Sequence, residues 1–201
     1  MATKYVIGID EVGRGPLLGP VAVGIAVMET GEYEKLKEQA IFTPGKDSKK
    51  LSPKKREEYF EKIKELKNQA VLNYGVFFES NEVIDKFGIA GAIKMAIAKG
   101  LTNLVVSAED CLVLLDGSLR APKEYTSQQS IIRGDESELI ISLASIAAKV
   151  SRDAKIVALA EKIEHYDLKN NKGYGTAKHI ADLKKHGPCA LHRKSFIRRL
   201  V

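Results

Sequence analysis

The chain has 201 residues, 44% of them hydrophobic, which is enough for one core of ordinary domain size. The formal net charge is +6, no stretch approaches ~18 consecutive apolar residues, and Asp10 and Glu11 interrupt the apolar N-terminal run. These features argue against a transmembrane helix and a signal peptide, and a cytoplasmic protein is expected.

Lys4–Asp10 (KYVIGID) reads as a buried strand, and Val21–Val27 (VAVGIAV) as the next, reached through a Gly/Pro-rich bend. A short polar helix is expected over Glu32–Gln39. Ser52-Pro53 starts a charged amphipathic helix that runs to about Asn68, with Ser52 as N-cap and Pro53 in the first turn. Val71–Glu79 is a third strand, and helices follow from Asn81 and over Ala90–Leu101. Cys111–Asp116 (CLVLLD) is a strand with an Asp-Gly exit, and Gln129–Arg133 is a short fifth. A long helix is expected from Ser137 to His165, then a tail helix, Ala177–His186, stopped by Gly187-Pro188. The order predicts an α/β fold: a mixed sheet with helices on both faces, and a basic helical extension. The division expected is a main domain over 1–165 and an extension over 166–201.

Charge is unevenly placed. From Lys169 to Val201 there are nine Lys/Arg against Asp182 alone, and Lys46 to Arg56 holds six against Asp47. Such runs are commonly solvated faces. Their other use is contact with nucleic-acid phosphates. Cys111 and Cys189 fit no metal-ligand spacing and are expected as reduced side chains.

Four carboxylates occupy unusual places. Asp10 and Glu11 sit at the exit of the first strand, where Gly13-Arg14-Gly15-Pro16 supplies a bend. Asp116 ends another strand before Gly117, and Asp135 follows Arg133-Gly134 ahead of the long helix. Each could be only a turn or cap residue. Together they bring carboxylates from three segments to the strand ends, where ligands collect in α/β sheets. Crowded carboxylates repel, and divalent cations remove the conflict. Four carboxylates balance two Mg²⁺ or Mn²⁺ ions, a pair that, about 3.5–4 Å apart, hydrolyses phosphodiesters. Gly13 and Gly15 permit close backbone approach to a sugar or phosphate, or serve only a tight turn. Tyr174, within Gly173–Thr176 of the basic tail, could stack on a sugar or base or pack on the main domain.

In these residues the chain resembles type 2 ribonuclease H, in its bacterial ribonuclease HII form. The matching segments are Ile9–Pro20 (IDEVGRGPLLGP), Asp47–Ser52 (DSKKLS), Leu115–Gly117 (LDG), Arg133–Asp135 (RGD), Ala144–Asp153 (ASIAAKVSRD), Lys172–Thr176 (KGYGT) and His192–Phe196 (HRKSF). They stand in family order over nearly the whole chain. The resemblance implies a ribonuclease H-like fold with a five-stranded mixed sheet. It implies two-metal-ion cleavage of the RNA strand of RNA–DNA hybrids, and cleavage 5′ to single ribonucleotides in duplex DNA. The products would carry 3′-hydroxyl and 5′-phosphate ends. It assigns catalysis and metal binding to Asp10, Glu11, Asp116 and Asp135, 2′-hydroxyl reading to Gly13, Arg14 and Gly15, and stacking to Tyr174. It suggests phosphate contacts for Ser48 and Lys49, and leaves Ser145 and Lys149 without a role. The implied cellular work is removal of misincorporated ribonucleotides and primer remnants.

The chain departs from the family pattern at Arg133, at Glu136 and over Asp167–Asn171. No C-terminal peptide for a sliding clamp is evident, and a monomer that binds nucleic acid but no membrane is expected. A Rossmann-type nucleotide site is disfavoured, because Gly13, Gly15 and Gly19 have the wrong spacing and adjacent carboxylates would repel a pyrophosphate. A zinc site from His179, His186, Cys189 and His192 matches no common spacing. The remaining alternative is a non-catalytic basic nucleic-acid-binding protein, which needs the basic surfaces but not the carboxylates.

Overall fold

The computed structural model describes residues 3–39, 42, 51–104 and 106–201. Five strands form one sheet: β1 (Tyr5–Val12), β2 (Val21–Glu29), β3 (Leu72–Glu79), β4 (Cys111–Asp116) and β5 (Gln128–Ile131), in the order β3-β2-β1-β4-β5. β1–β2 and β2–β3 pair antiparallel, while β1–β4 and β4–β5 pair parallel. The expected mixed sheet is present. β2 is apolar along nearly its whole length because it lies centrally and is covered on both faces.

The helices are α1 (Thr30–Glu38), α2 (Pro53–Asn68), α3 (Asn81–Asn103), α4 (Gly134–Ser137), α5 (Leu139–Ala160), α6 (Leu168–Asn171), α7 (Ala177–His186) and α8 (Lys194–Ile197). The Ser52 hydroxyl accepts the Lys55 N–H and caps α2, as the Ser-Pro pair predicts. The two helices expected over 81–101 form one element with a kink at Gly88, whose φ of 73° leaves the helical region.

Alternation along the strands builds two cores. Ile7, Ile9, Val113 and Leu115 pack against Ile93 and Ile97 of α3. Val6, Ala26 and Leu114 pack on the other face against Ile140, Leu143 and Ala144 of α5. Helix α5 lies so close to the sheet that a Cβ at Gly8 would overlap the Ile140 carbonyl, and one at Gly24 the Ala144 carbonyl.

Three boundaries differ from expectation. β1 continues past Asp10 to Val12, because Asp10, Glu11 and Val12 still pair with Gly24, Val23 and Ala22 of β2. Arg133 is not a strand residue: its φ of 55° turns the chain left-handed into α4. The long helix is shorter than Ser137–His165. It begins at Leu139 because Glu138 is extended, and it ends at Ala160, before two left-handed residues, Tyr166 and Asp167. The segment that carries Ser48 and Lys49 lies outside the described residues.

The C-terminal segment lies against the loop after β1. Leu18 bridges His192, and the Leu17 N–H donates to the Gly173 carbonyl at 2.8 Å. Leu18, Ile156, Tyr166, Leu168, Leu183 and Ile197 form a third apolar cluster there.

Candidate active site

Parallel pairing of β1 with β4 ends at Ile9↔Leu115, so the next residues, Asp10 and Asp116, emerge side by side at the strand ends. Glu11 was expected to join them because its strand stopped. The strand does not stop, and the reason is different. Past Ile9, β1 keeps β2 on one side but has lost β4 on the other, and carboxylates from both faces converge over that notch. One ligand oxygen from each of Asp10, Glu11 and Asp116 falls within 4.8 Å of the others.

Asp135 adjoins Asp116 of this trio. It is buried, at 3% exposure, and its charge acts on Asp10. Asp116 Oδ1 accepts the Gly134 N–H at 2.8 Å and the Asp135 N–H at 3.4 Å, which ties β4 to the turn before α4. Asp135 lies outside the tight trio because it enters from the α4 turn rather than from a strand.

Burial first, and then the Glu11 charge, push the Asp10 carboxyl well above the usual carboxylate range. A hydrogen bond from Ser145 of α5 opposes that shift, which gives Ser145 the place its motif left open. Burial also raises Glu11, against the Arg14 guanidinium that lies 2.7 Å from its Oε1. Asp10 Oδ2 and Glu11 Oε2 are buried and have no hydrogen-bond partner. Adjacent buried carboxylate oxygens without donors fit a hard divalent cation, which would satisfy the oxygens and cancel their repulsion.

The loop after β1 forms the rim. Arg14 reaches back to Glu11, and Gly15 faces the tail turn, where a Cβ would lie 3.9 Å from the Tyr174 ring. Tyr174 is 39% exposed, with Lys149 Nζ and Arg152 Cζ each 5.9 Å from its ring centre. Beyond it opens a groove of about 990 Å³, lined among others by Arg56, Lys149, Lys169 and Lys172.

Arg152 and Arg193 stand within the ASIAAKVSRD and HRKSF segments, where the sequence alone assigns them no role. Both are fully buried beneath the rim. The available signal for Arg152 is its helical spacing, four residues after Ala148 and four before Ile156, on the buried stripe of α5. His179, Cys189 and His192 do come together, but as a hydrogen-bonded chain, with His179 Nε2 3.1 Å from His192 Nε2. His186 stacks instead on His165. Among the described residues, the carboxylates alone group three ligand atoms. No helix among the described residues is long and apolar enough to cross a membrane.

A mixed five-stranded sheet with carboxylates gathered at the ends of its first and fourth strands defines a metal-dependent nuclease of ribonuclease H-like fold. The ribonuclease HII family model matches residues 7–199, and the chain belongs to that family. It is 39% identical over 198 residues to ribonuclease HII of Caldicellulosiruptor bescii, covering 98% of this chain and 89% of that one. The crystal structure of ribonuclease H2 from Pyrococcus horikoshii OT3 superposes with a TM-score of 0.70 at 25% identity, covering 98% of this chain and 96% of that one. Bst-RNase HIII in complex with Mn²⁺ shares the fold, with a TM-score of 0.67 at 16% identity over 92% of this chain and 64% of that one.

Proposed function

We propose that this ribonuclease H-type endonuclease cleaves the RNA strand of RNA–DNA hybrids and nicks duplex DNA 5′ to a single embedded ribonucleotide. The observation that carries the reading is the buried Asp10–Glu11–Asp116 trio, with two donorless oxygens, set beside the Gly13–Gly15 loop and the Tyr174 ring.

Asp10, Glu11, Asp116 and Asp135 are the catalytic carboxylates and would hold two divalent ions, Mg²⁺ or Mn²⁺. Such ions supply an activated water and stabilise the leaving oxygen. The scissile bond joins phosphorus to the O3′ of the upstream nucleotide. Attack by water leaves a 3′-hydroxyl upstream and a 5′-phosphate on the ribonucleotide. The 2′-hydroxyl of that ribonucleotide takes no part in the broken bond, so it serves as a recognition handle. Gly13, Arg14 and Gly15 read it, since a hydroxyl both donates and accepts. Tyr174 stacks at the junction, and Arg14 orients Glu11. Ser48 and Lys49 would contact phosphates.

We read the chain as a catalytic domain, 1–165, with a basic extension, 166–201, packed on it. The Leu18–His192 bridge and the third apolar cluster support that division. Arg56, Lys169 and Lys172, which line the groove beside Tyr174 together with Glu57, Asp153 and Glu161, support a duplex partner, bound by a monomer.

The test is a DNA duplex with one ribonucleotide, incubated with Mg²⁺ or Mn²⁺. A metal-dependent nick 5′ to the ribonucleotide is expected, lost in Asp10→Asn. Binding of this duplex without a nick would return the reading to a non-catalytic nucleic-acid binder.

A further inference from the structure

Arg193 is fully buried, and no carboxylate oxygen of a described residue lies within 4.0 Å of it. Its guanidinium instead donates to three backbone carbonyls of one loop: Nη2 to Gly13 at 2.7 Å, Nη1 to Arg14 at 2.9 Å and Nε to Gly19 at 2.9 Å. Its own N–H donates to the Leu17 carbonyl at 2.8 Å. Burying a cation without a carboxylate is costly, and a side chain needed only for packing would be apolar. Burial, and then the Arg152 charge, lower its pKa to about 9, so it is charged at neutral pH.

Arg152 completes the floor. Its Nε donates to the Pro20 carbonyl and its Nη1 to that of Lys172, both at 3.1 Å. Gly13 lies directly on it: with φ at +89°, a Cβ there would overlap Arg152 Nε. The carbonyls of residues 13, 14, 19 and 20 are therefore all drawn down onto two guanidinium groups.

A trans peptide is planar, with its C=O and N–H pointing in opposite directions. Pinning the Gly13 and Arg14 oxygens inward therefore turns the N–H groups of Arg14 and Gly15 outward. Neither N–H donates to another described residue. Two successive free amides on the rim, one residue pair from Glu11 and facing Tyr174, are the donors a sugar hydroxyl oxygen can use. Arg193 itself is held from behind. Asn81 Nδ2 donates to the His192 carbonyl, and Asp85 accepts the N–H groups of Lys194 and Ser195 at 2.9 and 2.8 Å.

We infer that Arg193 is a positioning residue for ribose discrimination: it aims the Arg14 and Gly15 amides at the substrate 2′-hydroxyl without touching substrate. The inference rests on the reading of Gly13–Gly15 proposed above. Lysine in its place keeps the charge but cannot span three carbonyls with a planar fork.

The experiment compares wild type and Arg193→Lys for binding, without metal, to a DNA duplex carrying one ribonucleotide and to the same duplex with deoxyribose throughout. Wild type should prefer the ribonucleotide. Arg193→Lys should lose about tenfold of that preference, the effect of one or two lost charged hydrogen bonds. Its affinity for the all-DNA duplex should stay near wild type, and its melting temperature should fall by a few degrees, because one or two buried hydrogen bonds are lost. A folded variant that keeps the full preference overturns the inference alone. A wild type without any preference overturns the 2′-hydroxyl reading itself. Should the variant fail to fold, the wild-type protein decides. On ¹⁵N-labelled chain, the Arg14 and Gly15 amide signals should shift with the ribonucleotide duplex and not with the all-DNA duplex, and equal shifts with both overturn the inference.

Discussion

Asp116 Oδ1 accepts the Gly134 N–H at 2.8 Å, so the carboxylate that ends β4 also fixes the turn that delivers Asp135. Asp116 adds to the repulsion on Asp10 in the absence of cations. Asp116→Asn keeps an acceptor for Gly134 and removes one negative charge. Metal-dependent cleavage should fall by at least about 10²-fold, the scale for losing one electrostatic contributor to a transition state. The metal-free protein should melt no lower than wild type, and the rise in melting temperature on adding Mn²⁺ should shrink. Thermal melts with and without Mn²⁺ check this, and a large loss of metal-free stability would contradict the repulsion argument.

The close approach of α5 to the sheet places Ser145 within reach of Asp10, and it depends on Gly24, the β2 partner of Asp10. Gly24→Ala would drive a methyl into the Ala144 carbonyl, which is backbone and cannot rotate away. A destabilisation of about 1–3 kcal/mol or more is expected. Urea unfolding measures it, and cleavage should fall even where the variant remains folded, because α5 must move off the sheet.

His192 and His179 are fully buried and neutral. His192 Nδ1 accepts the Cys189 N–H at 3.0 Å, so its proton is on Nε2, facing His179 Nε2 at 3.1 Å. His179 must then carry its proton on Nδ1, 2.9 Å from the Tyr174 carbonyl. Burial, and then His179, push the His192 pKa down to about 4, against 6.5 for the free side chain. Since the folded-state value is the lower one, the unfolded chain binds the proton first as pH falls. The stability from this pair is complete above pH 6.5 and is lost progressively toward pH 4, by about 3 kcal/mol in all. Urea unfolding at pH 7.5, 6 and 5 should show the decline, and His192→Gln should flatten it. The raised Asp10 and Glu11 carboxyls act in the opposite sense over this window, so the comparison with the variant decides: a His192→Gln pH dependence identical to wild type would refute the neutral pair.

Tyr174 projects from a turn held by backbone contacts. Its carbonyl meets His179, and its N–H donates to the Asn171 carbonyl at 2.9 Å. Its half-exposed ring contributes little to the core, so Tyr174→Ala should fold with a nearly unchanged melting temperature. Cleavage at a single ribonucleotide should drop about 10–100-fold, the value of one aromatic stack, and Tyr174→Phe should recover most of it. Equal rates for the Ala variant and wild type would remove the stacking role.

Much of this protein is written in local patterns. Alternating apolar residues, the Ser52-Pro53 cap and the Asp-Gly exit of β4 each act over a few residues, so they mark strands and helices before any fold exists. The carboxylates and the Gly13-Arg14-Gly15 loop are legible for the same reason: short motifs carry their own chemistry. Three things needed the tertiary structure. The union of Asp10, Glu11 and Asp116 depends on β4 ceasing to pair after Ile9, a property of two strands rather than of one. The Ser145 contact depends on how closely α5 meets Gly24. The support of the loop by Arg193 joins residues 180 apart in sequence, and no local pattern encodes which carbonyls a distant guanidinium will meet once the chain closes.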